Sequence, residues 1–332
     1  MEYISPIKHL YDRIIEYFYH NNPLSKDRLT ALAEQNIVSR AIFFNPDGGY
    51  IKTPMVHLEN GEVEIQESYM SFLWCTIYNF VKMNEAARKL CLSSDDVVQF
   101  NLTSVENLEH MNDLFGWILS LQTTYSEWPE NFPSPIDGSE FSNTINVIFL
   151  HALSYLLYHE VAHLANNHKT YLELINSRLE DLTDDELYQL KSLEVEADNY
   201  AIELLLGGNP DEDQTYIRVI GAIMAQLSNL LLIQNVNGLT QLKHPDIDQR
   251  LFNLSHRYKF ENQVYQLNIE QTLNIGLSLF LHIHKIEYLK DIPDQSAWYE
   301  NFDGILAHLY QKLDTEKEKT KDSFFSARED MR

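Results

Sequence analysis

Apolar positions recur every three or four residues through most of the chain, and that period predicts a mainly helical protein. Residues 7–20 and 25–36 read as short amphipathic helices. Between 41 and 66 the period shortens to two. Ala41-Ile42-Phe43-Phe44 and Tyr50-Ile51-Lys52 flank the turn Asn45-Pro46-Asp47-Gly48-Gly49, and Val56-His57-Leu58 and Val63-Glu64-Ile65 flank Glu59-Asn60-Gly61-Glu62. Asn-Gly favours a tight hairpin, so the stretch predicts a small antiparallel meander. Helical spacing resumes over 67–92, with Tyr69, Phe72, Tyr78 and Phe80 as an aromatic stripe for the core. A helix over 105–121 precedes a long loop, 123–138, whose Pro129, Pro133 and Pro135 block regular structure and which is expected to border a cleft.

The next helix, 141–168, carries the apolar run from Val147 to Ala165. Thr183-Asp184-Asp185-Glu186 is a capping box, with Leu182 and Leu187 as its hydrophobic staple, and opens a helix expected to run to Leu206 before Gly207-Gly208-Asn209-Pro210. Helices at about 212–235, 247–258, 264–288 and 301–315 follow, and the charged end is expected to fray. The fold class is thus mainly α (α+β). The organisation expected is N-terminal helices and meander over 1–100, a helical core over 101–315 and a charged tail over 316–332.

Inside the apolar run lies His159-Glu160-Val161-Ala162-His163, a HExxH motif. On a helix it sets two imidazoles one turn apart on one face, where they can share a Zn²⁺, with the glutamate in reach of a water on the ion. About 0.08 such matches are expected by chance in a chain of this composition, so the motif alone is only a lead. A catalytic zinc keeps three protein ligands and one open position. The third is expected from Glu194-Val195-Glu196-Ala197-Asp198. Glu194 and Asp198 share a helical face, about 40° apart, whereas Glu196 lies about 200° from Glu194. Glu194 is therefore the favoured ligand, Asp198 the carboxylate that receives the N–H of a ligating histidine, and Ala197 the small residue that lets two helices close up. Glu196 is the alternative to Glu194 for the third ligand. His151, His168, His282 and His284 are assigned to core or surface rather than to the metal, His168 because it falls five residues beyond His163, off the face.

Charge and composition remove other classes. A net charge of −24 argues against a nucleic-acid surface, which needs clustered Lys and Arg. Two cysteines, Cys75 and Cys91, in apolar sequence read as reduced core thiols and not as a disulfide scaffold. The N-terminal residues show no secretory pattern, and no run of 18 apolar residues occurs, so a soluble, cytoplasmic protein without a membrane span is expected.

HExxH, then ExxAD, then His244-Pro245 with Arg250 (HPxxxxR), in that order, resembles the gluzincin metallopeptidases of the HtpX, Oma and CAAX-prenyl-protease type. The likeness covers roughly 145–255. It implies a zincin-like core, one Zn²⁺ per chain on His159, His163 and Glu194, Glu160 as base and Asp198 as supporting carboxylate. It also implies His244 as oxyanion stabiliser with Arg250 as its partner. That group is largely membrane-embedded and this chain is not, so a soluble prokaryotic HExxH protease, of the phage-exclusion kind, fits the layout better. The expected function is an intracellular zinc endopeptidase acting on one or a few protein substrates in phage defence or regulation, with an activating or inhibiting protein partner. The other class kept open is an inactive zinc-binding regulatory protein, against which the intact Glu160 argues.

Overall fold

The structure, a computed structural model, describes residues 5–46, 50–93, 108–124, 126–176, 182–240, 245–288 and 302–329. It bears out the mainly helical class with a small sheet near the N-terminus. The chain forms two compact units.

The first unit holds a 3₁₀ turn (Pro6–Leu10), α1 (Tyr11–His20), α2 (Pro23–Glu34), the sheet, the first half of α3 (Glu67–Ser93), α4 (Leu108–Ser120), α5 (Glu140–Ala165), α6 (Lys169–Asn176), α7 (Asp184–Leu206) and most of α8 (Glu212–Leu231). The sheet corrects one expectation. Strands β2 (Met55–His57) and β3 (Glu62–Gln66) do form the hairpin, with Gly61 at φ +67, the left-handed value its turn requires. Strand β1 (Ile42–Asn45), however, lies on the far side of β3 and runs parallel to it, Ile42 opposite Val63, so the sheet is mixed, in the order β1-β3-β2. Burial explains the order. Val63 and Ile65 are fully buried, which places β3 between its neighbours, whereas β2 is half-exposed throughout and takes an edge. Asp47-Gly48-Gly49 lies outside the described residues.

Helix α5 is buried almost all round, as its continuous apolar run requires. It is long and apolar enough to cross a bilayer, yet 89% of that stretch is buried inside the protein. Ser139 caps its start by accepting from the Ser142 N–H. Asn146 accepts the Trp74 indole N–H at 2.7 Å and donates to the Pro135 carbonyl at 3.0 Å, which ties the proline-rich loop to α5. Tyr158 donates from its hydroxyl to the Phe18 carbonyl on α1 at 2.9 Å. On α8, an added Cβ at Gly221 would lie 2.7 Å from the His151 Cβ, so glycine lets α8 close against α5.

In the second unit α10 (Gln263–Ile283) packs on α11 (Phe302–Glu329), and α9 (Ile247–Arg257), a 3₁₀ turn (Val236–Leu239), the second half of α3 and the end of α8 belong to it as well. Here the frayed tail is corrected: the last helix continues through the charged segment to Glu329. Within that stretch Lys317 is buried, with its ammonium 2.6 Å from Asp248, 2.9 Å from Asp314 and 3.4 Å from Asp246. Burial pushes Asp248 above the usual carboxylate range, against the pull of Lys317. Burial acts to depress Lys317, but the hydrogen bond and charge of Asp248, with Asp314 and Asp246, outweigh it and raise the amine.

Two predictions follow the burial of these charges. Lys317→Met leaves Asp248 buried without its cation and should cost about 3–5 kcal/mol in urea unfolding, with Asp248→Asn in the same chain recovering part of it. An unchanged midpoint would show that the cluster contributes nothing. His151 is held neutral, its pKa brought down to about 3, first by burial and then by the Arg218 charge. Unfolded, it titrates near 6.5. Between those values the unfolded chain binds the extra proton, so stability falls as pH drops from 6.5 toward 3. His151→Leu should flatten that slope by up to one proton, about 1.4 kcal/mol per pH unit, read from unfolding curves across that range.

Candidate metal centre and active site

The closest helix pair in the first unit is α5 against α7, and the site lies between them. Thr183 opens α7 with a complete capping box: Thr183 Oγ1 accepts the Glu186 N–H at 3.3 Å and Glu186 Oε2 accepts the Thr183 N–H at 2.9 Å. At the other end the last carbonyls are taken up by side chains. Asn22 Nδ2 donates to Leu204 at 2.6 Å and Arg218 to Leu205 at 3.1 Å. Held at both ends, α7 turns Glu194, Ala197, Asp198 and Ala201 to one side, and the two alanines are fully buried there. Alanine at those two positions allows the backbones to approach.

His159, His163 and Glu194 converge, each buried and each offering a ligand atom within 4.8 Å of the other two. The ring orientations show why. Nδ1 of His159 donates to Asp198 Oδ1 at 2.9 Å, and Tyr155, one turn earlier on α5, donates its hydroxyl to the same oxygen at 2.9 Å. Nδ1 of His163 faces Nδ1 of His168 at 3.0 Å. Both rings are thereby turned so that Nε2 points to Glu194, at 3.1 Å from Oε2 for His159 and 3.6 Å from Oε1 for His163. Two imidazole nitrogens and one carboxylate facing a common point can hold a metal ion, and the set matches that of a three-ligand zinc site with a position left for water. Glu160 is half-buried beside His159, while Glu196 is 56% exposed and sets its Oε2 3.4 Å from His168 Nε2, outside the group that converges on Glu194.

Two residues escaped the sequence reading. Tyr155 carried the signal of i−4 spacing from His159, but its apolar neighbours made it look like core. His168 was placed inside a helix running to 168, off the metal face. In fact α5 ends at Ala165 and a Schellman motif follows: the His168 N–H donates to the His163 carbonyl at 2.9 Å, the Asn167 N–H to Leu164 at 3.1 Å, and Asn167 adopts φ 57. That motif folds the residue five positions on back over the last turn, so His168 lands on His163. Asn166-Asn167 was its sequence signal, since asparagine tolerates the left-handed conformation. Of the other histidines weighed from the sequence, His151 is core, His282 is exposed and His284 donates to the Ile233 carbonyl at 3.1 Å. His244 lies outside the described residues. Arg250 is half-buried on α9 of the second unit.

Comparison with known proteins adds to this geometry. The chain is 23% identical over 319 residues to the cell death peptidase of Escherichia coli (strain K12), an alignment covering 92% of this chain and 96% of that one. No solved structure matches it. The resemblance to gluzincin-type metallopeptidases is borne out, and the peptidase U49 family matches residues 63–269, which take in the whole of α5 and α7. Since the match covers more than half of the sequence, the chain belongs to the peptidase U49 family and is a peptidase.

Proposed function

We propose that the protein is a zinc-dependent endopeptidase in which His159, His163 and Glu194 hold one Zn²⁺ per chain. The observation that carries this is the orientation of the two rings: Nδ1 of each is engaged elsewhere and Nε2 of each is left toward Glu194. A zinc ion so held supplies Lewis-acid chemistry, polarising the peptide carbonyl and acidifying water. Glu160 accepts the proton of the attacking water and passes it to the leaving amine, the work of a general base turned acid. Asp198 keeps His159 in the Nδ1–H tautomer and anchors it through Tyr155. From the motif resemblance alone, His244 stabilises the oxyanion and Arg250 orients it.

The substrate is a protein, and we infer cleavage at one or a few sites under restraint rather than general digestion. The name of the E. coli relative, a cell death peptidase, supports a selective role of this kind, in regulation or phage defence. A protein partner that releases or withholds activity belongs to that reading.

The test pairs metal content with turnover. Purified protein should carry close to one equivalent of zinc. Glu160→Gln should keep it while activity falls by about 10²–10⁴, the usual worth of a general base. Comparing protein N-termini in cells expressing the two forms identifies the substrate. Full activity in metal-free protein would overturn the reading. The ligand choice has its own check: Glu194→Ala should lose the metal, Asp198→Ala should weaken its binding about 10–100-fold, and Glu196→Ala should retain it. Loss with Glu196→Ala but not with Glu194→Ala would mean that the wrong face of α7 had been assigned.

A further inference from the structure

The contact between His163 and His168 has a chemical direction. Two Nδ1 atoms at 3.0 Å are hydrogen-bonded only when one bears the proton and the other a lone pair. If Nε2 of His163 gives its lone pair to a metal, the neutral ring carries its proton on Nδ1. His163 then donates and His168 accepts. The proton of His168 in turn lies on Nε2, the edge 3.4 Å from Glu196 Oε2. That last contact is electrostatic and not an aligned hydrogen bond, for His168 Nε2 has no hydrogen-bond partner among the described residues. His168 is 3% exposed, so neither of its nitrogens is freely hydrated.

We propose that His168 is a positioning residue of the metal centre, doing for His163 what Asp198 does for His159. It rests on the metal-site reading above. The Schellman motif supplies the mechanism. Its characteristic contact joins the residue two beyond the cap to the residue in the last turn, a pair normally apolar. Here both members are histidines, so the device that ends α5 also sets the tautomer and rotation of a ligand. The support is neutral where that of His159 is anionic, and the two ligands are consequently unlike in basicity: His159 is polarised by a carboxylate, His163 by an imidazole.

The test is zinc affinity of the full chain, by competition with a chromophoric chelator, for the wild type, His168→Phe and His168→Asn. Phenylalanine keeps a ring but offers no acceptor. Asparagine is smaller but places an amide oxygen near the position of Nδ1. Positioning predicts affinity about 10–100-fold weaker for the phenylalanine variant and within a few-fold of wild type for the asparagine variant. Packing alone predicts the reverse order, and either that order or equal affinities in all three proteins would overturn the proposal while leaving the metal site standing. A wild type that binds no zinc would overturn both. The zinc-loaded wild type offers a readout that needs no variant. Long-range nitrogen–proton NMR of labelled histidines should find His163 protonated on Nδ1 and His168 on Nε2. A His168 protonated on Nδ1 would also sink the proposal.

Discussion

Everything at the site depends on burying ionisable groups between two helices. Glu194, His159 and His163 are nearly inaccessible, and a buried carboxylate or imidazole is costly unless each polar atom meets a partner. The chain meets that constraint by pairing: Asp198 and Tyr155 on one ring, His168 on the other, Glu194 facing both. The partners come from α5, α7 and the turn after α5, so the register of one helix against the other decides whether they meet. The alanines at 197 and 201, fully buried, leave room for the two backbones to approach.

Helix ends are where that register is secured. The capping box at Thr183 and the side chains of Asn22 and Arg218 at Leu204 and Leu205 fix where α7 begins and stops. A slip of one residue along α7 would rotate Glu194 by about 100° and bring Val195 toward the metal point. Fixed ends with a small-residue face between them exclude such slips, and the geometry at the centre is then a consequence of local rules at the periphery.

This also explains what was legible. HExxH, the Glu194–Asp198 face and the extent of α7 all follow from helical periodicity and capping, rules that act within a few residues. The structure brings His159, His163 and Glu194 together and runs α7 from Asp184 to Leu206. The readings that failed needed something beyond the helical period. The parallel pairing of β1 with β3 depends on which strand has the most apolar surface to bury, not on the turn between neighbours. Past residue 315, α11 brings Lys317 to Asp246 and Asp248, a pairing between segments far apart in the chain that no local pattern announces. His168 was misplaced because helical spacing was extended three residues too far: beyond Ala165 the left-handed Asn167 resets the direction of the chain, and no count of residues on a helical wheel holds across it.

The last point bears on how metal sites are built on helices. On a helix the neighbours of a ligand are the residues three and four positions away, and beside a helix end those on the far side are lost, so support for the second ligand comes from elsewhere. For His159 that support is on the neighbouring helix, because the ligand sits within α5 and has a full turn on either side. His163 stands two residues from the last residue of α5, where the backbone leaves the helical path. A residue just past the end can therefore reach back to it, at a loop-closure cost kept small by the short connection. Placing the second histidine at the end of the helix thus makes a sequence-local support available, in the turn that closes α5. The two histidines are held by different parts of the fold, His159 by α7 and His163 by that turn, which α7 meets through Glu196.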